Sequence, residues 1–352
     1  MQRGWEKIAV RQVATMGLLM VSMLTACTVG LGEDEPRDDT NELDPKDMHQ
    51  DEQQDVDVPS EESESTEEAN LEPSTARPVA VVVSNDRAAL PLVGLQEADV
   101  VYEVLSEASI TRFVAVYQSE YPERIGPIRS AREAFIDVAL GYDPLFIAHG
   151  FSPGAEARLY SEEIDQLNGM DYDGTLFARD SERAAPHNSF VRVDELLATA
   201  SDHGMNTEMT VDVPFSFTED DFQGEVAEQI VVSYQDANYA EYRFNENEDV
   251  YVRYNNGEPL VDGDTLDAYE VDNLFIVEAP HAVIDDAGRR HIDFLNGGDG
   301  LLIRNGKAQE IQWKNENNQI VPVDESLALG NTWVNIVPSL QSVTIYSDLE
   351  SE

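Results

Sequence analysis

The residues best able to do chemistry in this chain are cationic and grouped. Arg112, Arg129, Arg132, Arg179 and Arg183 fall in one region together with His149, His187 and Asn188. Arg129 and Arg132 lie in the string Gly126-Pro127-Ile128-Arg129-Ser130-Ala131-Arg132-Glu133. Ser130 followed three residues later by Glu133 is a capping box, so the spacing predicts a helix from Ser130 to about Leu140. The first-turn N–H groups and dipole of such a helix favour an anion. Arginine adds a planar fork suited to phosphate or carboxylate. His149-Gly150 ends an apolar run just before Ser152-Pro153, which reads as the N-cap and first residue of another helix. In α/β sheets ligands gather at such strand ends. The stretch from Arg179 to Asn188 reads as a polar loop, the usual carrier of sites. The anion-binding set expected is therefore Arg112, Arg129, Arg132, His149, Arg179, Arg183, His187 and Asn188.

Each has a plainer reading. Carboxylates are so abundant that any one arginine has a ready internal partner. His149 can be a hydrogen-bonded core histidine, and His187 can brace its loop. No Gly-x-Ser-x-Gly elbow, Walker loop, His-Glu-x-x-His or Ser-x-x-Lys is present. His281 and His291 lack metal-ligand spacing and read as structural. Gly297-Gly298-Asp299-Gly300 reads as a turn. No metal and no cofactor are expected.

The elements that must position these residues form an α/β layer between Arg77 and His203. Pro78–Val83 is a continuous apolar run, hence a buried strand. Ala98–Leu105 and Ile110–Tyr117 read as a hairpin joined by Ser106–Ser109. Leu145–Gly150 is a further buried strand, and a helix covers about Asp194 to Ala200. Beyond Thr210 short strands dominate: Val211–Phe217, Gln229–Tyr234, Ala240–Phe244, Val250–Tyr254, Leu274–Glu278, Leu301–Arg304 and Asn331–Val337. Asn256-Gly257 and Asn305-Gly306 are hairpin turns needing positive φ. This second region is expected to be a sandwich or open barrel. The fold class is α+β overall, an N-terminal α/β layered domain followed by a mostly β C-terminal domain.

Composition sets the surroundings. The 352 residues carry a formal net charge of -48, with 41% hydrophobic residues to build a core. Lysine is confined to Lys7, Lys46, Lys307 and Lys314. Such a surface opposes nucleic acid and anionic lipid. Its plainest cause is hydration in a salty or alkaline exterior. Glu33 to Glu72 is dense in acidic residues and poor in apolar ones, so it reads as a disordered tether extended by its own charge.

At the start, Arg3, Lys7 and Arg11 precede an apolar segment from Val13 to Thr25, too short to span a bilayer at ~20 residues. Leu24-Thr25-Ala26-Cys27 resembles the lipobox of bacterial lipoproteins, and Cys27 is the sole cysteine. The resemblance implies cleavage before Cys27 and acylation of its sulfur and new amino group. Several acyl chains anchor stably where one is marginal. The expected organisation is a signal peptide over 1–26, an acylated tether over 27–76, an α/β domain over 77–205 and a mostly β domain over 206–352.

A second resemblance covers nearly everything after the tether. It is carried by Gly94-Leu95, Ala98-Asp99-Val100-Val101-Tyr102-Glu103, Ile110-Thr111-Arg112-Phe113, the Gly126–Arg132 string, Ala185-Pro186-His187-Asn188 and Gly330-Asn331-Thr332-Trp333-Val334. These segments resemble the YerB-like lipoproteins. That family implies an exported two-domain lipoprotein of Gram-positive-type bacteria and brings no established activity. The chain departs from it at Ala108-Ser109, where two glycines often precede the Thr-Arg pair.

The function expected is a membrane-anchored cell-surface lipoprotein that binds an anionic envelope polymer or precursor through an arginine-rich cleft. Two alternatives stand beside it. One is an envelope-polymer phosphotransferase or hydrolase, with Arg129 and Arg132 stabilising phosphoryl charge and Asp99 or His187 moving protons. The other is a non-catalytic scaffold for an envelope protein partner. The expected partners are thus the membrane through its lipid anchor and envelope components, with no nucleic acid.

Overall fold

A computed structural model describes residues 75–208, 215–234 and 238–348. The signal segment, Cys27, the acidic tether and the beginning of the strand expected over Val211–Phe217 lie outside the described residues.

The first half comprises β1 (Val79–Ser84), β2 (Val100–Leu105), β3 (Thr111–Tyr117), β4 (Arg124–Ile125), α1 (Glu133–Leu140), β5 (Leu145–Ala148), α2 (Pro153–Leu159), β6 (Gln166–Asn168), α3 (Gly169–Tyr172), β7 (Phe177–Arg179), β8 (Ser189–Arg192) and α4 (Val193–Asp202). The second half is strand: β9 (Glu225–Val226), β10 (Gln229–Ser233), β11 (Tyr239–Asn245), β12 (Val250–Asn255), β13 (Glu258–Pro259), β14 (Glu270–Val271), β15 (Asn273–Glu278), β16 (His281–Val283), β17 (Arg290–Ile292), β18 (Gly298–Arg304), β19 (Lys307–Glu316), β20 (Gln319–Pro322), β21 (Thr332–Val337) and β22 (Val343–Tyr346). The fold is α+β, with helices layered on sheet in the first half and a mostly β second half.

One sheet of 11 strands runs through both halves in the order β20-β19-β18-β15-β21-β2-β3-β1-β5-β6, with β9 beside β19. The join is β21 against β2, parallel, with Val101 opposite Trp333. β5 and β6 are parallel neighbours joined through α2, the crossover that parallel pairing requires.

β1 explains why its run is apolar without alternation. Val79, Val81 and Val83 face a cluster with Leu196 of α4, Ile230 of β10 and Tyr242 of β11. Ala80 and Val82 face Phe135 and Ile136 of α1 and Leu159 of α2. A strand covered on both faces needs apolar residues at every position. The β10–β12 part of a six-stranded sheet therefore packs on the central sheet. The second region is neither a self-contained sandwich nor a barrel: apart from the separate β16–β17 pair, its strands divide between that sheet and the extension of the first half's own sheet.

The expected β2–β3 hairpin forms, with Leu105 opposite Thr111. Asn256-Gly257 and Asn305-Gly306 take positive φ (50° and 83°; 51° and 68°) and close the β12–β13 and β18–β19 hairpins. Ser152 caps α2, accepting from Ala155 N–H at 3.3 Å.

Two expectations are corrected. α1 starts at Glu133, its N-cap is Arg132, and that side chain makes no capping bond. Ser130 is two residues too early, because Arg129–Ala131 is extended and laid across the ends of β1 and β5. Its hydroxyl donates to His149 O at 2.9 Å instead. Gly298–Gly300 belongs to β18 rather than to a turn. The strand needs glycine there because a Cβ on Gly298 would lie 2.9 Å from the Trp313 indole nitrogen.

Candidate functional site

The C-terminal ends of β1, β2, β5 and β6 meet at one edge of the central sheet, and antiparallel β3 begins there. Arg112 enters from β3 opposite Ser84 and Val104. Arg129 is fixed through its backbone. Its N–H donates to Val82 O at 2.8 Å, and its carbonyl accepts from His149 N–H at 3.0 Å. Ala131 N–H donates to Gly150 O at 2.9 Å, which sets Arg132 beside them. Arg112 from β3 thus meets the closely spaced Arg129 and Arg132 where the strands end.

Glu107, in the β2–β3 turn, accepts from Arg132 Nε and lies 3.5 Å from Arg112 Nη2. Burial by itself would raise the Glu107 carboxyl. The hydrogen bond from Arg132, with help from Ser106, carries it below the usual range. Arg112 is 6% exposed and donates to Ser130 O at 2.5 Å. Burial, then the charge of Arg132, pushes it down to about 9, which leaves it a cation at neutral pH.

Arg129 differs from its neighbours. Its Nη1 donates to Pro186 O at 3.1 Å, and among the described residues no carboxylate stands within ion-pair distance. Burial and the nearby Arg132 lower its pKa, while Asp86 acts against them. His187 lies in the field of Arg129, and its Nδ1 is buried without a hydrogen-bond partner. Burial, then Arg129, holds that imidazole below its ordinary range. Asp86 acts electrostatically on Arg112, Arg129 and His187 together.

The other predicted residues form a second, braced group. Arg179 is ion-paired to Asp173 at 2.8 Å and donates to Asn188 Oδ1 at 3.1 Å. Its Nη2 also approaches His149 Nε2 at 3.0 Å, and His149 Nδ1 lies 2.8 Å from Ser189 Oγ. Guanidinium can only donate. His149 Nε2 must therefore accept, and Nδ1 carries the proton and donates to Ser189. That wiring is the reverse of the one that activates a serine, in which the imidazole accepts from the hydroxyl. Arg183 ties its loop to the segment after β1: it pairs with Asp180 at 3.2 Å and donates to Ala89 O and Pro91 O at 2.7 and 2.8 Å.

Asp99 lies away from this cluster. Its carboxylate accepts from Gln118 and Ser119 N–H at 2.6 and 3.0 Å. That is the far end of β3 from Arg112, roughly 17 Å along a strand rising ~3.4 Å per residue. Glu107, Asp86, Asp173 and Ser189 were not expected from the sequence. Glu107 reaches Arg132 across 25 residues and Ser189 reaches His149 across 40, so no local spacing marks those pairs; Asp173 lies only six residues from Arg179, among many other carboxylates. Among the described residues no group of three or more His, Cys, Asp or Glu could hold a metal ion.

Three guanidinium groups against Glu107 and Asp86 leave this edge positive in a strongly acidic chain. It offers fixed donors to an anion and, in His149 and Ser189, no activated nucleophile.

Comparison with known proteins returns the same outline. Residues 65–206 match the model described as Protein of unknown function (DUF3048) N-terminal domain, and residues 230–334 match its C-terminal domain. A relative from Bacillus subtilis (strain 168), named "Putative lipoprotein YerB", is 41% identical over 276 residues, which is 76% of this chain and 83% of the relative. The crystal structure of YerB protein from Bacillus subtilis superposes with a TM-score of 0.73 at 40% identity, covering 77% of this chain and 94% of that one.

Proposed function

The chain belongs to the DUF3048 family, and from that premise we propose that it is a lipid-anchored extracytoplasmic protein that binds an anionic envelope component at Arg129. Acylated Cys27 would hold it at the membrane and the acidic tether would raise it above the surface. The lipoprotein name of the Bacillus subtilis relative and the lipobox-like segment support the anchor. The observation that carries the binding reading is the contrast among three clustered arginines. Arg112 and Arg132 share Glu107, whereas Arg129 has no carboxylate partner among the described residues and lies in the same field as His187, whose buried Nδ1 has no hydrogen-bond partner. An arginine held partly buried beside two other cations, with carboxylates near but none in direct contact, is favoured by an anion that completes it. The ligand class is a phosphate- or carboxylate-bearing polymer or precursor.

The test is titration of the full chain in detergent with inorganic phosphate. A charge-assisted contact contributes ~1.5–3 kcal/mol, so Arg129→Ala should weaken binding by roughly tenfold or more. Equal affinity in the two proteins would shift support to the scaffold reading. The anchor is tested separately: Cys27→Ser should abolish lipid labelling, and a labelled variant would place the anchor elsewhere.

A further inference from the structure

Asn85, Asp86 and Arg87, just beyond β1, face Asn255, Asn256 and Glu258 across a cleft of about 250 Å3. Its walls therefore come from both halves of the chain. Leu90 and Ile110 add an apolar side, and Ile110 is exposed despite its size.

The floor is built. Asn85 Nδ2 donates to Glu103 Oε1 at 3.0 Å and to Thr111 Oγ1 at 2.8 Å, while its Oδ1 accepts from Asn255 at 2.6 Å. Glu103 is sealed against Arg253 beneath. A hydrogen-bonded polar chain thus runs from the dry core out to the cleft, which holds its amides in place before any ligand arrives. The rim is less committed. Asn256 accepts from Tyr239 N–H through Oδ1, and its Nδ2 has no partner among the described residues. Arg87 and Glu258 carry no ion pair among the described residues.

Two carboxylates against one guanidinium disfavour an anion here. Alternating amide, carboxylate and guanidinium groups beside an aliphatic wall suit a neutral ring rich in hydroxyl groups. We propose that this cleft is a saccharide subsite that holds one ring of a neutral, polyhydroxylated glycan. Ligand hydroxyls donate to Asp86 and Glu258 and accept from Arg87 and Asn256, and a C–H face rests on Leu90 and Ile110. The cleft is separate from the anion site proposed at Arg129, although Asp86 borders both.

The test uses the full chain in detergent, labelled with 15N at asparagine and titrated with tetra-N-acetylchitotetraose. The side-chain amide signals of Asn255 and Asn256 should shift saturably, with half-saturation on the order of 1 mM. Arg87→Ala, Glu258→Gln and Asn256→Gly should each weaken binding about threefold to tenfold, the loss of one or two net hydrogen bonds. Glycine keeps the positive φ that position 256 requires. Glu258→Gln alters only an exposed carboxylate, so at least one variant reads binding without unfolding. The proposal is overturned by an absence of saturable shifts up to about 10 mM saccharide, by shifts that none of the three cleft variants alters, or by phosphate moving the same signals in place of the saccharide.

Discussion

Glu103 on β2 and Arg253 on β12 form an ion pair at 2.8 Å with side chains 1% and 0% exposed. The pair links the central sheet to the six-stranded sheet. Arg253 also lies over the rings of Tyr242 and Trp333, at 4.9 and 5.8 Å from their centroids. Glu103 accepts further bonds from Thr111 and Asn85. Removing one member of such a pair strands a buried charge and costs ~3–5 kcal/mol. Arg253→Ala should lower the chemical denaturation midpoint accordingly. A loss below about 1 kcal/mol would match a solvated pair, not a sealed one.

Glu107 restrains two of the clustered arginines. Glu107→Gln keeps its shape and removes its charge. If an anion binds at Arg129, phosphate affinity should rise about twofold to fivefold. Stability should fall by ~1–3 kcal/mol, because buried Arg112 loses its compensating carboxylate. Phosphate titration and denaturation of the same sample read both effects. A fall in both would separate Glu107 from the anion site.

Gly169 makes room for His149. A Cβ there would stand 2.3 Å from the imidazole Cγ and Nδ1. The ring also packs edge-on to Phe177, 5.3 Å between centroids, so it has little space to yield. Gly169→Ala should cost ~1–3 kcal/mol. It should also release His149 from Arg179 and Ser189. Burial, then Arg179, now keeps the His149 pKa low. NMR titration should show it rise toward the ordinary histidine value, and an unchanged value would mean that the ring stays in place.

His281 predicts a pH dependence. Its Nδ1 donates to Ala279 O at 2.8 Å, and its buried Nε2 has no partner. Burial, opposed by that carbonyl and reinforced by Arg290, pushes its pKa down to about 4. The unfolded chain therefore binds this proton first as pH falls. The contribution is present above ~6.5 and is lost as pH drops toward 4, by about 2 kcal/mol between pH 7 and pH 5. His281→Gln should flatten the stability–pH curve by that amount. Parallel curves for the two proteins would show that His281 does not titrate on unfolding.

The net charge of -48 predicts that salt stabilises the fold. Like-charged carboxylates repel in the compact state, and screening shortens the Debye length to ~3 Å at 1 M. The melting temperature should climb from low to high sodium chloride. A flat or falling curve would show that internal arginine pairs outweigh the surface repulsion.

Local pattern was enough for several elements. The all-apolar run of β1 demands two covered faces. The Asn-Gly pairs demand positive φ, and Ser152-Pro153 demands a helix start. Each depends on neighbours within a few residues, so the chemistry that sets it is written in the adjacent side chains. The grouping of Arg112, Arg129 and Arg132 was also legible, because strand ends and a helix start must lie close in an α/β layer. The Ser130 cap was not, since the hydrogen bonds of Arg129–Ala131 to β1 and to the segment after β5 override a local capping signal. Which arginine stays unpaired was not legible either, because Glu107 reaches Arg132 across 25 residues and the sequence offers many other carboxylates. Sequence alone settled the β1 strand, the two Asn-Gly turns and the charge, which short-range sterics and composition govern. Only the tertiary structure decided that β21 lies beside β2, that Arg253 meets Glu103, and that Arg129 has no carboxylate in contact among the described residues. Those outcomes depend on contacts between segments far apart in the chain, where burial and geometry select one partner among many of equal chemistry.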